Sequence, residues 1–148
     1  MSRPSLPYAR AVAGDRALAQ MQKTLHAFGC QSFGHMVDAE RGVLLVQFKW
    51  RNQTVSLEAS FKGYAQALLK SKHGIGKHWS QSMQDAALAQ AHTSVCSVLR
   101  DWVKGQVTAI ESGVMSFEAA FMPHMLLPSG QRVIDKVQAD KLLLPPPS

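Results

Sequence analysis

The feature that most constrains this chain is a proline-free run of helical period, from about Ser82 to Ser112. Leu88, Ala91, Val95, Leu99, Trp102, Val103 and Ile110 recur at the spacing that places them on one broad stripe of a helix. Arg100, Asp101, Lys104, Gln106 and Glu111 fall mostly off that stripe. A helix of this length must lay its stripe on something, so the rest of the chain has to supply a covering or covered surface. Gly105 interrupts it at a cost of about 1 kcal/mol and suggests close packing there. Gly113 is a good C-terminal stop. Ser116 can then cap a short helix whose first turn holds Glu118 near the positive dipole end. Phe117, Phe121 and Met122 would form its apolar face, Pro123 would end it, and Pro128-Ser129-Gly130 reads as a tight turn.

Upstream the period changes. Leu18, Met21, Leu25 and Phe28 make a helical stripe over Asp15–Phe28, with Asp15 as its expected cap and Gly29 as its stop. Leu44, Val46, Phe48 and Trp50 then alternate with Leu45, Gln47, Lys49 and Arg51, and Val55, Leu57 and Ala59 alternate likewise. Alternation of this kind predicts two half-buried strands. A two-residue loop at Asn52-Gln53 would pair Trp50 with Val55, Phe48 with Leu57 and Val46 with Ala59, all facing one side. An earlier strand, Gln31 to Val37, joins through residues 38–42 and completes a three-stranded antiparallel meander. A short helix is expected up to about Lys72, another from Val133 to Leu143, and a polyproline-like tail over residues 144–148. The fold class is therefore α+β: an N-terminal helix, the meander, the long helix packed on the sheet, and short C-terminal helices. Residues 1–14, with Pro4, Pro7, Gly14, Arg3 and Arg10, form an irregular basic arm, and residues 15–143 form one domain.

Lys and Arg outnumber Asp and Glu by 16 to 10, a formal charge of +6 that favours acidic partners such as nucleic acid or a nucleoprotein. The excess is local. No carboxylate falls between Glu58 and Asp85, whereas Lys62, Lys70, Lys72, His73, Lys77 and His78 accumulate there beside Tyr64, Trp79 and a Gly74-Ile75-Gly76 break. Lysines neutralise phosphates and aromatic rings stack on unpaired bases. The alternative is a solvated loop whose lysines serve solubility. It is not a Walker A loop: Ser71 stands where a glycine is needed, and His78 replaces the Ser or Thr after Lys77. Lys49 and Arg51, on the exposed face of the hairpin, would extend the basic surface toward Lys62, or simply protect a strand edge by charge.

Other chemistry finds little support. Cys30, His35, His73 and His78 have the right ligand types for zinc, but four intervening residues in each pair match no common zinc pattern. Two cysteines make no disulfide framework and read as free thiols in a reducing compartment. Glu111 and Glu118 would need to converge with a partner to act as a carboxylate pair, and Gly113 breaks the helix between them. His92 and His124 have no nucleophile or acid at informative spacing. The sequence thus points away from an enzyme and calls for no metal or cofactor. No apolar run approaches the ~20 residues of a membrane span, and MSRPSLPYAR lacks a signal-peptide core, so the cytoplasm is the expected location.

The segment Ala109-Ile110-Glu111-Ser112-Gly113-Val114, followed by Phe117-Glu118, Phe121-Met122-Pro123, Leu127-Pro128, Gly130 and Val133, resembles an uncharacterised family of small proteins encoded by tailed bacteriophages and prophages. Its members typically read Leu-Glu-Ala-Val-Glu-Ser-Gly-Ile, then Phe-Glu and Glu-Phe-Leu, then Leu-Pro-Asp-Gly-Arg-Thr-Val. The likeness covers the C-terminal third. This chain departs from it with Ala119-Ala120 in place of an acid, Ser129 in place of Asp and Arg132 in place of Thr. An Arg-Trp-Arg element upstream is absent. The resemblance implies phage origin and a shared fold, and it brings no catalytic residue. The expected function is a non-enzymatic phage accessory protein that binds nucleic acid or a nucleoprotein in phage DNA metabolism. The alternative is an inhibitor of a host defence complex, anti-CRISPR-like or anti-restriction, acting by protein–protein contact.

Overall fold

A computed structural model describes residues 5–74 and 78–147. Arg3 and Pro4 of the arm, Ile75, Gly76 and Lys77 of the central break, and Ser148 of the tail lie outside the described residues.

Helix α1 spans Gly14–Phe28 and buries Ala17, Leu18, Met21 and Leu25. Asp15 does not cap it as expected. The N-cap position is Ala13, in a left-handed conformation and with no side-chain cap, and Asp15 instead sits in the first turn, where its charge suits the dipole. Gly29, at φ 109°, ends the helix by donating to the His26 carbonyl, and Cys30 N–H donates to Leu25, a Schellman closure.

Three antiparallel strands follow in the order β1 (Gln31–Asp38), β2 (Val43–Trp50) and β3 (Gln53–Ser60). The meander is as the alternation predicts, but its register differs. Phe48 pairs with Val55, Val46 with Leu57 and Leu44 with Ala59. The loop is Arg51-Asn52, not Asn52-Gln53. Both loop residues have positive φ, 47° and 66°, the signature of a type I′ turn that matches strand twist. The shift is two residues, so the same side chains still face the core.

Ser60 caps α2 (Phe61–His73), accepting from Gly63 N–H at 2.9 Å. Ser80 caps α3 (Gln81–Glu111), accepting from Met83 N–H. This long helix packs α1 and α2 along its length and closes over the inner face of the sheet. Its Ala91, Val95, Cys96, Leu99, Val103 and Val107 share one core with Leu44, Val46, Phe48, Val55 and Leu57. Trp102 is half-buried, its ring edge-on to Phe121. Gly105 marks no close approach: a Cβ there would meet nothing within 4 Å.

After Gly113, at φ 78°, Ser116 caps α4 (Phe117–Phe121) by accepting from Ala119 N–H. Phe117 and Phe121 are buried, but Met122 is 48% exposed and belongs to a 3-10 turn, Met122–His124, with Pro123 inside it. Phe117 stacks on Trp50 with ring centroids 4.2 Å apart, and Phe121 meets Phe48 edge-on at 5.5 Å. The segment around Phe117 and Phe121 thus plugs one end of the sheet. Met125 then bridges to Val55, and Leu126 N–H donates to Thr54, so the hairpin end of the outer edge of β3 is covered. Leu127 to Gly130 forms the expected turn, with Gly130 at φ 89°. α5 is shorter than the spacing suggests, Val133–Ala139, rather than reaching Leu143. Lys141, at φ 52°, follows it, and Leu142–Leu144 are exposed.

The irregular arm is held down. Tyr8 hydroxyl donates to Asp101 at 2.6 Å, Ser94 hydroxyl donates to the Tyr8 carbonyl at 2.7 Å, and Gln90 donates to the Ala11 carbonyl at 3.0 Å. These bonds explain why Ser94 can be fully buried within α3.

Candidate nucleic-acid interface

The basic block divides into two places. Lys62, Lys70, Lys72 and His73 all lie exposed along α2. At 100° per residue, Lys62, Lys70 and His73 fall on one side of that helix. Lys70, Lys72 and His73 occupy its last turn, where cations also complement the dipole. Lys72 and His73 line a groove of about 390 Å³ between the end of α2 and the start of α3, together with Leu68, Ser82, Met83 and Gln90. The first turn of α3 carries no acid. The groove's far wall is the first turns of a 31-residue helix, which Ser80 caps and which carries no acid before Asp85. His78 is exposed immediately before that wall, and Lys77 lies outside the described residues.

Lys49 and Arg51 are elsewhere. Arg51 sits in the β2–β3 turn with its guanidinium 4.4 Å from the Trp50 ring centroid. Trp50 stacks on Phe117, just beyond the C-terminal end of α3, whereas the groove lies at the N-terminal end of α3. About 40 Å of helix separates the two. Lys62 lies at the opposite end of β3 from Arg51, beside Gly42, to whose carbonyl its N–H donates. The three residues do not form one continuous basic surface, contrary to expectation, because the eight-residue strands put the hairpin turn and the start of α2 at opposite ends of the sheet.

The aromatic residues of the block are only partly available. Trp79 is half-buried against the core, and its buried Nε1 has no hydrogen-bond partner among the described residues. Tyr64 is half-buried too, and its hydroxyl donates to the Pro7 carbonyl at 2.6 Å. Both rings serve packing, so the groove offers cations rather than an open stacking platform.

The residues considered for other chemistry are dispersed. Cys30 is buried, and desolvation pushes its thiol up to about 11; burial raises Cys96 as well. Neither has the character of a reactive thiolate. Among the described residues no three His, Cys, Asp or Glu side chains converge as metal ligands. Glu111 and Glu118 are both exposed, one at the end of α3 and the other in α4.

One charged network escapes sequence reasoning. The Arg132 side chain, 14% exposed, reaches Glu58 at 3.1 Å and Asp135 at 2.8 Å, and Arg41 joins Glu58 at 3.2 Å. Only the local Arg132–Asp135 spacing is visible in the chain; the tie to β3 depends on how the C-terminal turn folds back. Among the described residues no helix is long and apolar enough to cross a membrane. No protein-family profile, curated protein or solved structure matches the chain.

Proposed function

We propose that this is a phage-encoded, non-enzymatic accessory protein that contacts phosphates of nucleic acid, or of a nucleoprotein, through the α2–α3 groove in the host cytoplasm. Phage origin rests on the resemblance of the segment from Ala109 to Val133. The observation that carries the binding reading is the groove itself. Lys72 and His73 face the acid-free start of α3 across it, within a stretch that has no carboxylate from Lys62 to Gln84. Lysine side chains and helix-start amides both favour anions. Phosphate contact of this kind positions a backbone and reads no sequence. A gel-shift titration with single- and double-stranded oligonucleotides of unrelated sequence tests it. The expected outcome is similar affinity across sequences, weakened by Lys72→Gln and Lys77→Gln, with an unchanged melt.

The alternative, inhibition of a host defence complex, draws on a different surface. Met122, Pro123, Val133, Ile134, Val137 and Leu143 line an apolar cleft of about 390 Å³ between α4 and α5. Exposed apolar clefts suit protein partners. Loss of host-complex capture on Ile134→Asp, with oligonucleotide binding absent in the wild type, would favour this second reading.

A further inference from the structure

The two edges of the sheet are treated differently. The edge of β3 is bridged by Met125 and Leu126. Among the described residues, nothing pairs with the outer edge of β1. β1 also lacks the side chains that most often blunt an edge: Gln31–Asp38 contains no Lys, Arg or Pro. Its irregularity, with Ser32 at φ 58°, is confined to the first residues, and Gly34–Asp38 pair regularly with β2. Adjacent residues of that regular part expose apolar side chains on opposite faces, Met36 at 61% and Val37 at 44%.

Charge along the sheet runs from one end to the other. The end nearest the β1–β2 turn holds Asp38, Glu40, Glu58 and Asp135 against Arg41, Lys62 and Arg132; Arg41 is committed to Asp38 and Glu58, and Arg132 to Glu58 and Asp135, so the acids exceed the bases there by one, with Glu40 the acid nearest the β1 edge. The hairpin end, residues 47–57, holds Lys49 and Arg51 and no acid. A strand added in the antiparallel sense by a copy of the same sheet sets each acidic end beside the other's basic end. A parallel copy would set like ends together.

We propose that β1 pairs antiparallel with β1 of a second copy of this chain, about a two-fold axis near Met36, joining two sheets into one of six strands. Met36 then meets Met36 of the partner copy on one face, and Val37 packs beside His35 on the other. Backbone hydrogen bonds supply the affinity, as in other strand additions, and the end charges set the direction.

Sedimentation velocity on the full chain between roughly 1 and 100 µM tests this, with hydrogen exchange at both concentrations. The expected result is a reversible dimer and β1 amides whose protection grows with concentration. Met36→Lys should give a monomer with an unchanged circular dichroism spectrum. Glu40 lies in an exposed turn, so Glu40→Lys tests the charge pattern without touching the strand: it should weaken dimerisation several-fold, and adding Lys49→Glu should restore it. A monomer across the whole range overturns the proposal and leaves an extended segment of another protein as the occupant. A dimer indifferent to Met36→Lys and Glu40→Lys overturns it as well, since the copies would then meet through another face, such as the α4–α5 cleft.

Discussion

His124 packs edge-on to Trp102 with ring centroids 5.5 Å apart, and its buried Nδ1 has no hydrogen-bond partner among the described residues. Desolvation, with a smaller contribution from Arg132, holds its pKa below the ordinary histidine value. The native state therefore prefers the neutral ring. As pH falls through the unfolded value of about 6.5, the unfolded chain takes up a proton that the native chain refuses, and stability falls. The wild-type melting temperature should drop between about pH 7.5 and 5.5, and His124→Asn should reduce that slope. An identical slope in both proteins would contradict the placement of the ring. At lower pH a second loss is expected. Arg132 holds Asp135, and Arg100 with Tyr8 holds Asp101, below the ordinary carboxylate range, so their support is present above about pH 4 and fades as pH falls further. Leu99 is a simpler case. It is buried on the stripe of α3, so Leu99→Ala should cost about 2–5 kcal/mol in a denaturant melt.

At the scale of elements, the hairpin shows what alternation can and cannot tell. The inward side chains of β2 and β3 were legible, because period two separates the faces. The register was not, because pairings two residues apart bury the same set. The choice falls to the turn, where Arg51 and Asn52 accept left-handed backbone that Gln53 does not adopt. Asn52→Gly should therefore leave stability equal or higher, and Asn52→Val should lower it by about 1–2 kcal/mol. The opposite order in thermal melts would return the loop to Asn52-Gln53. The caps at Ser60, Ser80 and Ser116 follow from local chemistry, and Ser116 was readable from its sequence neighbours alone. Met122 was not, since its exposure depends on where Pro123 turns the chain into a 3-10 segment.

For the whole molecule, helix order and layer arrangement followed from periodicity, because a 31-residue amphipathic helix beside a half-buried meander has few ways to hide both surfaces. The site was legible only in part. A run of lysines without acids is visible in one dimension. That Lys72 and His73 face Ser82 and Met83 depends on α2 folding back along α3. The same folding draws Trp79 and Tyr64 into the core and sends Lys49 and Arg51 to the far end, so composition alone overstates the surface. The expected binding is consequently electrostatic, salt-sensitive and indifferent to base identity.

Fluorescence anisotropy with labelled single- and double-stranded oligonucleotides, followed through a salt series, tests this claim most directly. Log K should fall linearly with log salt concentration, and Lys72→Gln and Lys77→Gln should each reduce the slope by about one without moving the melt. Failure of both strand types to bind the wild-type protein below ~100 µM at low salt, weaker than ordinary non-specific association, would contradict it.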